Sequence, residues 1–147
     1  MNLRIATVAD IPAMHEIHLS VQENVLSDPA RITYDDTREM ITRRGRGWVF
    51  EVDDRIAGFA VADHSRRNIW ALFVAPQFEG RGIGHALHDA MVNWLFEMGP
   101  APIWLTTEPG SRAERFYRAA GWQCTGAVES GEVHFERSHP AARPPIT

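Results

Sequence analysis

The sequence of 147 residues contains no lysine, so all fifteen of its basic residues are arginines. The absence of lysine excludes catalysis through a lysine Schiff base and excludes a nucleotide-binding loop of the GxxxxGK type. Basic charge is not in excess either, because the formal net charge is −4. This balance argues against a nucleic-acid partner, whose phosphates require a basic face, and favours attraction of cationic small molecules such as amines.

Cysteine and long apolar runs are scarce as well. Cys124 is the only cysteine, so the chain cannot form an internal disulfide, and we expect a cytoplasmic protein. No apolar run approaches the roughly 20 residues of a membrane span, and none near Arg4 resembles a signal peptide. We therefore expect a soluble protein without a membrane partner, with one domain over residues 1–137 and a loose, proline-containing tail over residues 138–147.

Hydrophobic periodicity and helix-capping residues divide the chain into strands and helices. Helix starts are marked by Thr7 with Asp10, by Thr33, and by the capping-box pattern Ser111-x-x-Glu114. The order β-α-α-β-β-β-α-β-α-β-β indicates a mixed α+β sheet with helices packed on it. The predicted strands are 2–6, 48–52, 56–62, 69–74 and 103–106, with two more within 122–137, and the predicted helices begin near 7, 33, 82 and 111 and end near 27, 44, 98 and 120.

A glycine-rich turn, Glu-Gly-Arg-Gly-Ile-Gly-His at residues 79–85, joins an apolar strand, expected to be buried on both faces, to the longest helix. Glycine lets the backbone approach an anion closely, and the first amides of a helix lie unpaired at the positive end of its dipole. The turn therefore suits a pyrophosphate. The dinucleotide fingerprint G-x-G-x-x-G is not met, because His85 occupies the position of its last glycine. The glycine pattern alone leaves a simple tight turn open as an alternative.

Two segments resemble signatures of the GNAT acetyltransferase superfamily. The run from Trp70 to Leu87 is similar to that family's acyl-CoA-binding segment. The run from Ala113 to Trp122, A-E-R-F-Y-R-A-A-G-W, is similar to its second signature, A-x-x-F-Y followed by G-F or G-W. The resemblance implies an acetyl-CoA-dependent N-acetyltransferase with a mixed, mostly antiparallel sheet of six to seven strands flanked by four helices.

The resemblance also implies where coenzyme A binds. The central strand would splay from its neighbour and pair with the pantetheine arm, while the amides of the glycine turn would hold the pyrophosphate. Glu79 stands where the family usually has glutamine or arginine, and we expect its carboxylate to turn toward solvent or toward Arg81. Gly110 stands where the family often has asparagine. The cofactor-binding residues implied are Leu72, Phe73, Val74, Glu79, Gly80, Arg81, Gly82, Ile83, Gly84, His85, Ala113 and Phe116.

Tyr117 is the implied general acid, since the resemblance places it near the sulfur of CoA. Its phenol has an ordinary pKa near 10, which suits the return of a proton to a departing thiolate. The amide of Val74 is a candidate donor to the oxyanion. A core aromatic on an amphipathic helix is the structural alternative for Tyr117.

The general base is left open by the sequence. Glu108, at the end of the strand after the long helix, is the first candidate. Some relatives have a carboxylate on the central strand, but Asn68 occupies the matching place here. Glu23, Glu51, Asp63 and a water relay are the alternatives.

The acceptor site is expected between the two early helices, where Glu23, Asn24 and Asp28 are candidate contacts, together with Trp70 on the central strand. The acceptor is left open among small amines, amino acids, polyamines and protein N-termini. A non-catalytic acyl-CoA sensor and an interaction domain without a cofactor are the rival functions, and a homodimer through sheet edges is a further expectation by analogy.

Four histidines occur in pairs three residues apart on predicted helices, a spacing that can hold a metal. These pairs are His15 with His18 and His85 with His88. No acidic residue or cysteine is near enough in sequence to complete either site. We therefore predict no metal.

Overall fold

The computed structural model describes residues 2–21 and 33–140. Within these ranges, seven strands form one sheet in the order β1-β2-β3-β4-β5-β7-β6, accompanied by four α-helices. The strands are β1 (Asn2–Ile5), β2 (Gly45–Val52), β3 (Arg55–Asp63), β4 (Asn68–Val74), β5 (Ile103–Thr107), β6 (Gln123–Ala127) and β7 (Val133–Arg137). The helices are α1 (Ile11–Ser20), α2 (Tyr34–Glu39), α3 (Ile83–Glu97) and α4 (Arg112–Ala119). The predicted element order and mixed α+β class are confirmed.

Local sequence signals account for most of the element boundaries. Asp53 and Asp54 both have positive φ, 50° and 63°, as the tight turn of the β2–β3 hairpin requires. The hydroxyl of Thr33 accepts from the amide of Asp36 at 3.0 Å and begins α2. The predicted helix over 33–44 is only partly right, because residues 40–44 form a π-helical turn. The hydroxyl of Thr42 there donates to the carbonyl of Arg38 at 2.6 Å, which competes with the regular helical hydrogen bond.

The helices lie on opposite faces of the sheet. The ring of His18, on α1, lies 4.9 Å from the ring of Phe73. The next residue, Val74, faces α3, because a Cβ at Gly84 would lie 3.7 Å from its Cγ2. Successive side chains of a strand point to opposite faces, so α1 and α3 sandwich β4. None of the helices within the described ranges is long and apolar enough to cross a membrane.

The longest helix, α3, buries one side of its surface against the sheet. Gly82 caps the helix and Met98 follows it. Met98, at the predicted end of the helix, is half exposed, and the helix ends one residue earlier. The fully or nearly fully buried residues of α3 are Ile83, Leu87, His88, Met91, Val92, Leu95 and Phe96.

β4 and β5 form the only parallel pair among the described strands, and they pair in register at a single position, Asn68 opposite Trp104. The side-chain amide of Asn68 donates to the carbonyl of Trp104 at 3.1 Å and closes this end of the pair. Beyond it the strands separate. The expected burial of β4 on both faces therefore holds for Ile69 and Ala71, whereas residues 72–74 are only half buried.

Replacing Asn68 with alanine should open the closed end of the β4–β5 pair. The side chain is 8% exposed, so the carbonyl of Trp104 would lose a buried donor at a cost of about 1–3 kcal/mol. Urea denaturation measures the change in the free energy of unfolding. Asn93→Ala, on the exposed side of α3, is the control, with a change within about 0.5 kcal/mol. Equal effects of the two substitutions would contradict a clamping role for Asn68.

Candidate active site

A cleft of about 730 Å³ opens where β4 and β5 separate. It reaches the end of α1 on one face of the sheet and the first turns of α3 and α4 on the other, so it passes through the sheet. Its described lining residues are Ser20, Val21, Leu72, Phe73, Val74, Pro76, Phe78, Glu79, Gly80, Gly82, Ile83, Gly84, His85, Thr107, Glu108, Ser111, Arg112, Ala113, Phe116 and Tyr117.

The glycine turn forms an open cradle at one end of this cleft. Gly80 and Gly82 have φ of 78° and 81°, and no heavy atom of the described residues lies within 4 Å of a Cβ placed on either. Gly82 ends the turn with left-handed backbone and no side-chain cap. The first amides of α3, which have no partner within the helix, therefore adjoin open space at the positive end of a 15-residue helix dipole. This geometry suits a diphosphate.

The free edge of β4 forms the middle of the cleft. The amide of Ala75 donates to Ala57 of the neighbouring strand at 2.8 Å. Because successive amides of a strand point in opposite directions, the amide of Val74 points away from β3 and into the gap. The same alternation directs the backbone of Leu72 into the gap. An extended ligand can therefore add to β4 as a further strand would.

Two arginines at the cradle adopt positions that the sequence did not indicate. Glu79 was expected to turn toward solvent or Arg81, but its Oε2 lies 2.7 Å from Nη1 of Arg112 on α4. The guanidinium of Arg81 instead lies 5.4 Å from the centre of the Phe78 ring. The side chain of Arg81 is thus outside the described lining of the cleft, whereas Arg112 borders it. The expected contact of the Arg81 amide with the cofactor stays a prediction.

The start of α4 is fixed by side-chain hydrogen bonds. The hydroxyl of Ser111 accepts from the amide of Glu114 at 3.1 Å and donates to the carbonyl of Glu108 at 2.6 Å. The predicted capping box is incomplete, because the carboxylate of Glu114 accepts from the amide of Gly110 at 2.7 Å. These contacts hold Glu108 and Arg112 at the rim of the cleft.

Tyr117 has its ring buried and its phenol open to the cleft. The residue is 7% exposed, and its ring lies against Phe116 and Trp122 at 5.3 and 5.6 Å between centroids. No side-chain polar atom that is fully enclosed among the described residues lacks a hydrogen-bond partner. The phenol oxygen makes no such bond within that part of the chain, so it must open onto the cleft. Burial raises the pKa of Tyr117, which keeps the phenol protonated at neutral pH.

His88 lies behind Tyr117 and is 2% exposed. The indole N–H of Trp122 donates to its Nε2 at 2.9 Å. Since Nε2 accepts, the proton is on Nδ1, which donates to Asp89 at 2.9 Å. This network joins α3 to the residues that follow α4 and thereby supports the ring of Tyr117. The Gly-Trp pair that follows α4 is visible in the sequence. It does not show, however, that the tryptophan donates a hydrogen bond to a histidine on α3.

Acidification should destabilise the protein through His88. Burial lowers the pKa of its imidazole, so the unfolded state binds a proton more readily than the folded state. The contribution of His88 to stability is complete above pH about 6.5 and is lost as the pH falls toward the lower pKa of the folded state, with a slope of up to about 1.4 kcal/mol per pH unit. Urea denaturation at several pH values, compared with His88→Gln, isolates this term. Parallel pH dependences of the two proteins would contradict it.

The comparison with known proteins settles the family. The profile of the Acetyltransferase (GNAT) family matches residues 11–122 of the chain. The chain belongs to this family. No curated protein sequence matches it.

Solved structures of GNAT proteins share the fold at low sequence identity. The PaiA N-acetyltransferase of Thermoplasma acidophilum, in complex with coenzyme A, is 13% identical, with a TM-score of 0.81 over 95% of this chain and 100% of that chain. The ribosomal-protein-alanine N-acetyltransferase of Brucella melitensis is 20% identical, with a TM-score of 0.77 over 94% and 99%. The ribosomal-protein-S18-alanine N-acetyltransferase of Escherichia coli is 16% identical, with a TM-score of 0.74 over 98% and 96%.

Among the base candidates of this GNAT chain, Glu108 lines the cleft and is exposed. Glu51 lies 2.9 Å from Nε of Arg4, which lowers the pKa of its carboxyl. Asp63 is 1% exposed and lies 2.9 Å from Arg44. Both ion pairs lie outside the cleft lining found among the described residues. The remaining candidate, Glu23, falls outside the residues that the structure describes.

The acceptor candidates of this GNAT chain are placed only in part. Glu23, Asn24 and Asp28 fall outside the described residues. Trp70 is half buried and forms a β-bulge, since Ala71 and Ile69 pair with consecutive residues of β3, and it lies outside the described cleft lining. Ser20 and Val21, which the sequence did not indicate, do line the cleft, because α1 ends beside the gap in the sheet.

The paired histidines of this GNAT chain serve other contacts. His15 is hydrogen bonded through Nε2 to the hydroxyl of Thr37 at 3.1 Å. His85 lies with its ring 4.9 Å from Phe116 at the cleft. Within the ranges that the structure describes, no group of three histidine, cysteine, aspartate or glutamate residues is placed to hold a metal ion.

Proposed function

We propose that this GNAT protein transfers the acetyl group of acetyl-CoA to a primary amine of a small molecule or peptide by direct attack on the thioester. The observation that carries the proposal is the single gap in the sheet, which combines the glycine cradle, the free amide of Val74 and the phenol of Tyr117. The complex of the Thermoplasma relative with coenzyme A supports the donor. The names of the Brucella and Escherichia proteins, which act on an alanine of a ribosomal protein, support an amine acceptor.

The residues of the cleft fit coenzyme A. A Cβ at Gly80 or Gly82 would occupy the open space of the cradle, which is the space that a diphosphate needs. The amides at the start of α3 would hold the diphosphate, and the edge of β4 at Leu72 and Val74 would hold the pantetheine arm. Ala113 and Phe116 form the opposite wall.

Acetyl-CoA supplies an acyl group already activated as a thioester. Groups of the chain itself then stabilise the oxyanion and transfer the protons. The amide of Val74 donates to the carbonyl oxygen as negative charge develops on it. After the amine has released its ammonium proton to solvent, the neutral nitrogen bonds to the carbonyl carbon, Glu108 accepts the second proton from this nitrogen, and the carbon–sulfur bond breaks. Tyr117 gives its proton to the departing sulfur, and the proton held by Glu108 restores the phenol through water.

The acceptor enters from the α1 face of the sheet. The diphosphate cradle lies on the α3 face, so the donor occupies that side of the gap, whereas Ser20 and Val21 border the other side. The exposed carboxylate of Glu108 at the rim attracts a cationic amine.

Two successive measurements test the proposal. Calorimetry with acetyl-CoA determines whether the cleft binds the donor, and chromatography then follows CoA production with panels of small amines, polyamines and peptide N-termini. Chromatography is preferable to a thiol-reactive dye, because Cys124 is exposed and would react. Binding together with amine-dependent CoA release is expected. Binding without release for any amine would indicate an acyl-CoA sensor instead, and absence of binding at about millimolar ligand would overturn the proposal.

A further inference from the structure

The mouth of the cleft is crossed by one ion pair. Glu79 precedes the glycine cradle and Arg112 is the first residue of α4, and their charged atoms lie 2.7 Å apart. Both residues line the cleft, and Arg112 is the only arginine that does so within the described part of the chain. The pair therefore lies beside the position that a diphosphate would occupy.

Two other arginines lie against the ring of Phe78, the residue that precedes the cradle. Arg81 lies over the ring of Phe78 at 5.4 Å, and Arg55 approaches the same ring at 5.9 Å. The cradle itself offers neutral amides. Among the described residues, Arg112 is thus the arginine placed to supply a full positive charge to the diphosphate.

A guanidinium has five N–H donors in a planar fork and binds phosphate through two of them. The guanidinium of Arg112 already contacts the carboxylate of Glu79, so a phosphate that binds Arg112 must compete with that carboxylate. The carboxylate of Glu79 is then held within a Debye length of the diphosphate and repels it. Because the pair is partly exposed, at 62% for Arg112 and 36% for Glu79, it contributes little to orienting the arginine. Repulsion is the larger effect of Glu79.

We propose that Arg112 binds the diphosphate of coenzyme A and that Glu79 competes with the diphosphate for this arginine. Glu79 thereby weakens cofactor binding and speeds the release of CoA after each transfer, a step that often limits turnover in enzymes. The inference rests on the proposed function, since it assumes that coenzyme A occupies the cleft.

Calorimetry with CoA and with dephospho-CoA, which retains the diphosphate but lacks the 3′-phosphate, tests the assignment. We expect Arg112→Gln to weaken both ligands equally, by about tenfold or more. Glu79→Gln should tighten both by about threefold to tenfold and slow CoA release in stopped-flow displacement by a similar factor. In the Glu79→Gln background, Arg112→Gln should cost more than it does in the wild type, because Glu79 then no longer competes with the ligand for the arginine.

Arg118→Gln is the matched control, because it removes the same charge from the same helix at a residue paired with Glu114 outside the cleft. It should leave CoA affinity unchanged, and thermal unfolding checks that all variants fold. No effect of Arg112→Gln, or an effect on CoA but not on dephospho-CoA, would overturn the diphosphate assignment. Weaker binding of CoA and dephospho-CoA by the Glu79→Gln variant would contradict the claim that Glu79 competes with the diphosphate for Arg112. Failure of the wild type to bind CoA would instead overturn the proposed function.

Discussion

Gly82→Val should reduce acetyl-CoA affinity by at least about a hundredfold. Gly82 has φ of 81°, a left-handed conformation that a β-branched residue adopts only under strain. Valine would shift the turn and move the amides at the start of α3 away from the diphosphate. Loss of two such charge-assisted hydrogen bonds costs roughly 1.5–3 kcal/mol each, which corresponds to at least about a hundredfold in the dissociation constant. Isothermal calorimetry measures the change.

Gly131→Val is the control for this substitution. Gly131 also has positive φ, 90°, and open space at its Cβ position among the described residues, but it lies in the turn between β6 and β7. The two variants should therefore lose similar free energy of unfolding, while Gly131→Val keeps the acetyl-CoA affinity of the wild type. Comparable loss of affinity in both variants would show that backbone strain, and not the cradle, governs binding.

Tyr117→Phe should lower kcat by about a hundredfold to ten-thousandfold, the usual contribution of a general acid. Acetyl-CoA affinity should remain close to that of the wild type, because the buried ring and its contacts with Phe116 and Trp122 are retained. Since burial raises the pKa of Tyr117, the phenol stays protonated between about pH 6 and 9. The wild-type rate should therefore show no loss from phenol ionisation over this range.

Tyr34→Phe provides the matched control, because Tyr34 is the only other tyrosine and lies on α2, 44% exposed. Its removal should leave turnover unchanged. Steady-state kinetics with an accepted amine, together with calorimetry of acetyl-CoA, separates turnover from binding. Turnover by Tyr117→Phe equal to that of the wild type would remove Tyr117 from the chemistry and leave it as a core aromatic.

Local chemistry made much of the fold predictable. The paired aspartates of the β2–β3 turn, the capping residues Thr33 and Ser111, and the apolar spacing of α3 act within a few residues, so the sequence shows them directly. The glycine turn is predictable for the same reason, because tolerance of positive φ is a property of glycine itself. The π-helical turn at 40–44 was missed. It depends on the hydroxyl of Thr42, which donates to the carbonyl of Arg38 and competes with the regular helical hydrogen bond.

Contacts between distant segments were not predictable in the same way. The burial of His88 could not be predicted, because the indole of Trp122 that donates to it within the core lies 34 positions later in the sequence. The guanidinium of Arg81 lies over the ring of Phe78, whereas Arg112 on α4 borders the cleft, and neither position could be predicted from the sequence. The acceptor site was expected between the two early helices, and Ser20 and Val21 at the end of the first of them line the cleft, although the sequence did not single out these two residues.

The sequence by itself determined the order of the elements, the family and the backbone cradle, because each of these is encoded by residue types at short, fixed spacing. The tertiary structure decided which charged groups meet at the cleft, which histidine is buried and where the sheet opens. Those outcomes depend on side chains from separate elements reaching the same point in space, and the free energy of such contacts exists only after the chain has folded.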